Sequence, residues 1–425
     1  MASTAAATGD ARLRVTLWTL LVVYIFNFLD RQIVNILAEP ISKDLGLSDT
    51  QIGLMTGIAF AAFYTILGIP IARYADRPTT NRVGLISVAL AIWSGMTVLC
   101  GVAQNFVQLL LARIGVGVGE AGCTPAAHSL ISDLAPPEKR ASAISFYSLG
   151  IPIGSLLGML IGGQLADIYG WRVAFYVVGA PGVLLAALVW FTLPEPRKSR
   201  PADHVAPPAI RTSEALTDIF SSRAFIYLMI AGAGAAFLGY GKVTWTTIFL
   251  QRTHGLTPGE VGFWFGIIIG AAGVFGTWLG GYLADRYGRV KRRHVLTGPA
   301  LGYALGIPIA ICAYWVDDWR VALALLVVPT ILGGLYIGPT YSCGQGLVRP
   351  QTRAMASAVL LFAQNLIGLG LGPLFFGILS DAVKPVAGPE SVRWVLYGAA
   401  LLGLIPAFFF WRASLRLDAE LDRKS

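Results

Sequence analysis

Charged side chains are scarce in this chain. Asp, Glu, Lys and Arg together make up 13% of its 425 residues, whereas hydrophobic residues make up 55%. A soluble domain carries roughly 25% charged residues, which cover much of its surface. A soluble protein of this size is therefore excluded. Since apolar stretches of about 20 residues, the length that spans a bilayer as a helix, recur along the chain, the composition predicts an all-α membrane protein.

Cysteine and histidine are also rare, with four residues of each type. The cysteines lie singly inside apolar stretches without CxxC spacing, and the histidines lack the spacing of metal ligands. We therefore expect no metal and no cofactor. An enzyme acting on lipids would need a nucleophile with a neighbouring base, or metal ligands, at the membrane face. The sequence shows neither pattern, so we do not expect an enzyme.

Twelve apolar stretches are long enough to form transmembrane helices, and we number them α1 to α12 in chain order. They lie at residues 12–38, 50–73, 82–104, 106–131, 139–165, 171–193, 223–252, 258–283, 293–316, 319–345, 352–380 and 392–413. The only long polar stretch separates α6 from α7. We predict an N-terminal six-helix bundle over 1–193, a cytoplasmic linker over 194–222 and a C-terminal six-helix bundle with a short tail over 223–425.

Lysine and arginine are distributed unevenly between the loops. With both termini placed in the cytoplasm, 23 of the 32 basic residues fall on the cytoplasmic side and 6 on the opposite side. Cytoplasmic loops carry such an excess, so we predict a multi-pass protein of the bacterial inner membrane with both termini cytoplasmic. The net charge of +9 then reflects topology and contact with anionic lipid. Nucleic-acid binding needs a clustered basic patch, which is lacking. We expect a monomer.

The two halves of the chain repeat each other at two places. The end of α8 reads GYLADRYGR over 281–289, and the end of α2 reads ARYADR over 72–77. Likewise, GQLAD ends α5 at 163–167 and GILSD ends α11 at 377–381. Internal duplication with a binding site between the repeats is a common transporter architecture. The repeats therefore favour a transporter over a passive channel.

The segment GYLADRYGRVKRR at 281–293 resembles the signature loop of the major facilitator superfamily. The copy after α2 is degenerate, because it reads DRPTTNR over 76–82 and lacks the usual glycine and basic pair. The resemblance implies a major facilitator fold, in which two six-helix bundles rock around a central cavity and give alternating access. It also implies that these loops help to hold one gating state. The residues that it places in the gate are Asp76, Arg77, Asp285, Arg286 and Arg289.

Four charged residues lie inside predicted spans of the N-terminal half: Asp30 and Arg31 in α1, and Arg113 and Glu120 in α4. A charge inside a membrane is costly and commonly marks function. Arg113 and Glu120 are seven residues apart, so they share one helical face. From the expected depths we predict two ion pairs, Asp30–Arg113 and Arg31–Glu120, facing the cavity. The alternative is a static ion network that serves only packing.

Asp30 and Glu120 are the only acidic residues that we place well inside a span. A carboxyl group in a low-dielectric cavity can take up a proton, and losing it frees the carboxylate to pair with arginine. We therefore predict that one of the two couples transport to protons. Arg31 is the predicted anchor for an anionic or zwitterionic head group. Lys242, the only charge inside a C-terminal span, either binds an anionic group or snorkels outward. Further candidates for substrate contact are Tyr147, Trp245, Tyr341 and Asn365.

Four further stretches resemble the spinster branch of the superfamily. They are NFLDR at 27–31, GVGVGEAG at 115–122, SAISFYSLGIPIG at 142–154 and WTTIFL at 245–250. This resemblance implies proton-coupled transport of lysolipids or sphingoid phosphates, and it maps the family's functional charges onto Asp30, Arg31 and Glu120. The rival resemblance is to the anion:cation symporter branch, which also has an Asp-Arg pair in α1 and Glu-Ala-Gly in α4. It implies a proton-coupled symporter of small organic anions.

Overall fold

The computed structural model describes residues 2–77, 79–136, 139–199 and 211–422. Within these ranges every regular element is a helix and none is a strand. Eleven helical segments are long and apolar enough to cross a membrane. The last, Pro350–Leu421, has 72 residues and is interrupted at Gly388, so it is long enough to cross twice, at about 20 residues for each crossing. The predicted all-α membrane fold is confirmed.

The spanning helices keep the numbering α1 to α12, and most are longer than predicted. The first ten are Ala2–Leu45, Asp49–Asp76, Arg82–Val102, Phe106–Leu134, Ser142–Tyr169, Trp171–Thr192, Arg223–Arg252, Pro258–Gly288, His294–Trp315 and Trp319–Gly346. Helices α11 and α12 occupy 353–387 and 391–421. The predicted linker contains a short helix, Thr212–Phe220, and its residues 200–210 lie outside the described part of the chain.

Several spanning helices begin at a side-chain cap. Ser48 forms a capping box with Gln51 at the start of α2. The same role is played at the starts of α3, α4 and α7 by Asn81, Asn105 and Ser222, whose side-chain oxygens accept a backbone N–H bond. Because the first N–H groups of a helix have no partner within it, a capping oxygen both stabilises the start and fixes its position.

The contacts within the chain divide it into two compact units. Unit 1 contains α1, α3 to α6 and most of α2, and unit 2 contains α7, α9 to α12 and most of α8. Two helix starts are exchanged, because Ser48–Ile58 of α2 belongs to unit 2 and Thr257–Gly266 of α8 belongs to unit 1. The predicted division of the chain at 194–222 did not include this exchange of helix starts.

Three spans contain a π-helical segment. These segments are Leu54–Ile58 in α2, Ile268–Ala272 in α8 and Gln364–Leu371 in α11. A π-helical segment locally weakens the regular hydrogen-bond ladder, and such segments are common at functional sites and at helix kinks. In α2 and α8 they lie within a few residues of the points where the helix passes from one unit to the other.

Close glycine contacts position α1 within unit 1. Glycine recurs at every fourth position of α5 from 150 to 162, a spacing that predicts close helix packing. A Cβ atom added at Gly158 would lie 2.7 Å from the carbonyl oxygen of Leu29, and one added at Gly150 would lie 2.8 Å from Cβ of Tyr24. The α5 ladder is thus the seam against which α1, with Asp30 and Arg31, is held.

The alternating glycines of α4 have a similar role. A Cβ added at Gly117 would lie 2.6 Å from the carbonyl oxygen of Phe60 in α2, and one added at Gly119 would lie 2.7 Å from the backbone nitrogen of Trp93 in α3. Both neighbours are backbone atoms that cannot rotate away. The GVGVG sequence therefore sets how closely α4 approaches α2 and α3.

We expect Gly117→Ala to lower the midpoint of thermal unfolding in detergent, because forcing atoms into a packed contact costs typically about 1–3 kcal/mol. Gly95→Ala in α3 is the matched control, since a Cβ there meets nothing within 4 Å. In the control, alanine should leave the midpoint unchanged or raise it, because it has a helix propensity about 1 kcal/mol better than glycine. Equal midpoints for the two variants would contradict the packing assigned to Gly117.

Candidate functional site

A cluster of charged residues lies inside unit 1, formed by α1 and α4. Asp30 is 1% exposed, Arg113 2% and Glu120 0%, while the side chain of Arg31 is 12% exposed. Such burial inside a membrane span is unfavourable unless the charges interact with one another or act on a ligand. The cluster is thus the first candidate for a functional site.

Arg31 and Glu120 form an ion pair. Nε of Arg31 donates to Oε2 of Glu120 at 2.7 Å. A bond between a guanidinium and a carboxylate at this distance is charge-assisted and stronger than a neutral hydrogen bond. The structure therefore contains the Arg31–Glu120 pair expected from the depths of the two residues in the membrane.

Three aromatic rings surround the guanidinium of Arg31. Its Cζ atom lies 5.0 Å from the ring centroid of Phe28, 4.9 Å from that of Phe60 and 4.6 Å from that of Tyr64. Cation–π contacts of this kind hold a planar guanidinium in a fixed orientation. Phe60 also faces Arg113, at 5.5 Å, and so lies between the two arginines.

Asp30 and Arg113 do not form the second ion pair that we predicted. Oδ2 of Asp30 accepts a hydrogen bond from the hydroxyl group of Thr97 at 3.2 Å. Among the described residues, Oδ1 of Asp30 and Nε and Nη1 of Arg113 have no hydrogen-bond partner. In a static packing network buried polar groups are paired. The unused atoms of Asp30 and Arg113 therefore favour a functional site over that alternative.

Asn27 is a member of the cluster that the charge pattern alone did not reveal. It is fully buried, and neither of its amide atoms has a hydrogen-bond partner in the described part of the chain. Asn27 shares one face of α1 with Asp30 and Arg31, because the three are at positions i, i+3 and i+4. The Oε1 atom of Glu120 is also without a partner there. The spacing of Asn27 from Asp30 and Arg31 is the feature of the sequence that indicates its place in the cluster.

The end of α1 differs from the prediction and brings a further buried acidic residue into the helix. Glu39 is also buried within a span, because α1 continues to Leu45 and does not end near residue 38. Glu39 pairs with Lys43, with 3.4 Å between Oε1 and Nζ. Since Lys43 is largely exposed, this pair lies at the end of α1 and apart from the charged cluster.

Two of the aromatic candidates for substrate contact are fully buried. The ring of Tyr147 stacks on that of Tyr24 at 4.2 Å, and its hydroxyl group has no partner among the described residues. The indole N–H of Trp245 donates to the carbonyl oxygen of Pro373 at 2.9 Å and ties α7 to α11. In this structure Trp245 has a packing role, and the predicted substrate contact of both residues stays a prediction.

Unit 2 contains a second set of candidates. Lys242 is partly exposed, and no ion pair or hydrogen bond is formed by it within the described ranges. The hydroxyl group of Tyr341 donates to Oε1 of Gln364 at 3.2 Å. Asn365 is buried and follows Gln364 in the π-helical segment of α11. Tyr341 and Asn365 are thus both close to Gln364, a residue that the sequence did not single out.

The five predicted gate residues are all exposed. Arg286 donates to the hydroxyl group of Tyr282 at 2.8 Å, and Arg77 lies 5.7 Å from the ring of Tyr74. Within their own units, no ion pair of Asp76, Asp285 or Arg289 is found among the described residues. Their gating role therefore stays a prediction.

An ion network that was not predicted lies beside the degenerate copy of the signature loop. Arg82 is fully buried and contacts Glu195 at 2.7 Å and Asp133 at 2.8 Å. Arg197 donates to the carbonyl oxygens of Ala75 and Arg77, at 2.7 and 2.8 Å.

Burial alone would raise the pKa of Glu195, but the hydrogen bonds from Arg82 outweigh it, so this pKa lies below its usual value. Glu195 and Arg197 come from the segment after α6. Together with Arg82 they supply polar contacts at the end of α2, where the degenerate copy lacks its basic pair.

Known proteins resemble the chain along almost its whole length. Residues 20–373 match the Major Facilitator Superfamily. A protein of Mycolicibacterium smegmatis described as an MFS-type efflux pump is 35% identical over 415 residues, which is 97% of this chain and 95% of the relative. The probable L-galactonate transporter of Escherichia coli is 25% identical over 370 residues, 84% of this chain and 74% of the relative.

A solved structure is similar to the chain as well. It is that of a bacterial homolog of the human lysosomal transporter spinster, in an inward-facing and unoccupied conformation. The two sequences are 33% identical, and the match has a TM-score of 0.87 and covers 96% of this chain and 98% of the other.

Proposed function

Because the chain belongs to the major facilitator superfamily, and is thus an integral multi-pass membrane transporter and not an enzyme, we propose that it couples transport to protons and works by alternating access. The observation that supports the coupling is the buried Arg31–Glu120 pair at 2.7 Å. Asp30 and Arg113 lie beside it with unused hydrogen-bonding atoms. A transporter that needs protons must contain a titratable group whose protonation changes what else is bound, and Glu120 fits this requirement.

The pair links proton binding to anion binding. While Glu120 is ionised it occupies Nε of Arg31. Protonation removes the negative partner and leaves the guanidinium to an anionic group of the substrate. Binding of the proton and of the anion therefore favour each other, and this coupling is reciprocal. We expect the affinity for an anionic substrate to rise as the pH falls.

The proposed substrate is an amphiphile with an anionic or zwitterionic head group, such as a lysolipid or a sphingoid phosphate. Arg31 supports a head group with paired oxygens, because its planar donors are held in place by three rings. Phe28, Phe60 and Tyr64 also provide apolar surface beside the anchor. The 33% identity with the spinster homolog supports the resemblance to the spinster branch, which implies this class.

A small organic anion is the second candidate, supported by the 25% identity with the probable L-galactonate transporter. Either substrate suits the guanidinium of Arg31, and Lys242 stays a separate candidate for an anionic group. In both cases we propose a protein of the bacterial inner membrane that acts as a monomer with cytoplasmic termini. The excess of basic residues in the loops assigned to the cytoplasm supports this orientation.

Reconstitution distinguishes the two candidates. The purified protein in liposomes is given a pH gradient and, in separate samples, a labelled lysophospholipid, a labelled sphingoid phosphate and a labelled hexonate. Gradient-driven accumulation of either lipid supports the first candidate, and accumulation of the hexonate alone supports the second. No accumulation of any of the three, from liposomes that contain folded protein, contradicts the proposal.

The gate gives a prediction that needs no substrate. We propose that the loop after α8 stabilises the state whose cytoplasmic side is closed, so Asp285→Asn should shift the population inward by about tenfold if the lost free energy is about 1.4 kcal/mol. Asp76→Asn should do less, because its loop is degenerate. Spin labels on the cytoplasmic helix ends measure the shift. A larger shift from Asp76→Asn would contradict the unequal roles of the two loops.

A further inference from the structure

The repeated Gly-x-x-x-Asp sequences at the ends of α5 and α11 have no part in the coupling mechanism. They are Gly163–Asp167 and Gly377–Asp381 in the two halves of the chain. In the structure each of them contacts the start of a helix from the other half, within one compact unit. In both contacts an aspartate carboxylate accepts hydrogen bonds from a threonine hydroxyl group and from backbone N–H of a helix start.

Asp381 binds the start of α2. Its carboxylate accepts the backbone N–H bonds of Asp49 at 3.1 Å and Thr50 at 2.8 Å, and the hydroxyl group of Thr50 at 2.6 Å. A carboxylate at this position stabilises the positive end of the helix. A Cβ added at Gly377 would lie 2.9 Å from the carbonyl carbon of Asp49. The glycine thus allows the approach that the aspartate needs.

Asp167 binds the start of α8 in the same manner. Its carboxylate accepts the hydroxyl group of Thr257 at 2.6 Å and the backbone N–H of Gly259 at 2.9 Å. A Cβ added at Gly163 would lie 2.8 Å from the carbonyl carbon of Pro258. Both contacts therefore combine a glycine, an aspartate four residues later, a threonine hydroxyl group and a helix N-terminus.

A buried ion pair reinforces the contact at α2. Both carboxylate oxygens of Asp49 are 3.1 Å from the guanidinium nitrogens of Arg252. Oδ2 of Asp49 also accepts the hydroxyl group of Ser380 at 2.6 Å. Since Ser380 precedes Asp381 in α11, the two residues hold neighbouring groups of the same helix start.

The contacts of Asp381 and Asp167 explain why the starts of α2 and α8 are exchanged between the units. Ser48–Ile58 belongs to the unit that contains Asp381, whereas the rest of α2 belongs to unit 1. Thr257–Gly266 belongs to the unit that contains Asp167, whereas the rest of α8 belongs to unit 2. A helix that is shared between two units has to bend, or to lose one attachment, when the units move. The π-helical segments near both crossing points are where bending costs least.

We propose that Asp381 and Asp167 are a pair of clasps that set the conformational equilibrium of transport. They stabilise the state in which the starts of α2 and α8 are held, and they are released in the other state. These helix ends lie on the face that the distribution of basic residues assigns to the outside. The clasps therefore act opposite the signature loops. This inference rests on the alternating access of the proposed function.

The test measures the distance between spin labels at Ile168 and Val386, two exposed positions next to the clasps, in a protein without its native cysteines. Asp381→Ala and Asp167→Ala should each raise the ratio of the population with a long label-to-label distance to the population with a short one. The expected increase is about fivefold, which corresponds to losing a helix cap worth about 1 kcal/mol. The double variant should show the product of the two changes. Thr50→Val and Thr257→Val should shift the ratio in the same direction by less.

Asp318→Ala is the matched control. Asp318 also caps a spanning helix, but it accepts from Arg320, two residues along the same helix. In one outcome, the distance ratio of the unsubstituted protein changes with substrate or pH, but Asp381→Ala and Asp167→Ala shift it no more than Asp318→Ala does. This outcome refutes the role of the clasps and leaves alternating access standing. If the unsubstituted protein keeps one distance under every condition, alternating access fails and the clasps fail with it.

Discussion

Glu120→Gln is expected to reduce proton-driven uptake to the level of empty liposomes while the protein remains folded. Glutamine has nearly the size of glutamate but cannot gain or lose a proton, so the step that links proton and substrate is lost. The variant resembles the protonated state and leaves Arg31 without its carboxylate partner. It should therefore still bind substrate and still exchange it across the membrane without a gradient. Measuring uptake and exchange on the same liposomes separates lost coupling from lost binding.

Asp30→Asn is expected to lose uptake as well, because Asp30 is the second buried carboxylate of the cluster. Glu39→Gln is the matched control: Glu39 is a buried carboxylate of the same helix, but it pairs with Lys43 at the helix end. The control should retain uptake. Accumulation of substrate against a gradient by both Glu120→Gln and Asp30→Asn would show that neither residue carries the proton.

Arg31→Lys is expected to weaken substrate binding about 10- to 100-fold, since a hydrogen bond to a charged group contributes about 1.5–3 kcal/mol. Lysine retains the charge but has neither the planar fork nor the stacking surface that Phe28, Phe60 and Tyr64 contact. Equilibrium binding of the labelled lipid or anion that is transported gives the measurement.

Arg113→Lys serves as the comparison for this prediction. Arg113 is buried beside the cluster and makes no contact with Glu120 of the kind that Arg31 makes, so its change should affect coupling more than binding. An affinity for Arg31→Lys close to that of the unsubstituted protein would contradict recognition of the head group by a guanidinium fork.

Much of the fold follows from the sequence because apolar length is a strong constraint in a membrane. The helix ends were less predictable: α1 continues to Leu45 through Glu39 and Lys43, since two charges that pair at i and i+4 can be accommodated near the interface. The exchange of helix starts could not be predicted. It depends on contacts such as that of Thr50 with Asp381, which are 331 residues apart.

The site was predictable to the extent that helical phase determines it. A separation of seven residues places Arg113 and Glu120 on one face of α4. The pairing of Glu120 with Arg31 follows from their similar depth in the membrane. Whether Asp30 pairs with Arg113 depends on the side-chain conformations of both residues, which spacing does not give. Phe60 and Tyr64 were missed because aromatic residues are common in membrane helices and only tertiary contact shows which ones face Arg31.

One buried carboxylate, in this mechanism, couples substrate movement to proton movement. This coupling is tested most directly by recording internal pH and labelled substrate together in liposomes that have no imposed pH gradient. With an imposed substrate gradient, the unsubstituted protein should move protons as substrate moves, and Glu120→Gln should move substrate without protons. Substrate movement by the unsubstituted protein with no change of internal pH would contradict this coupling.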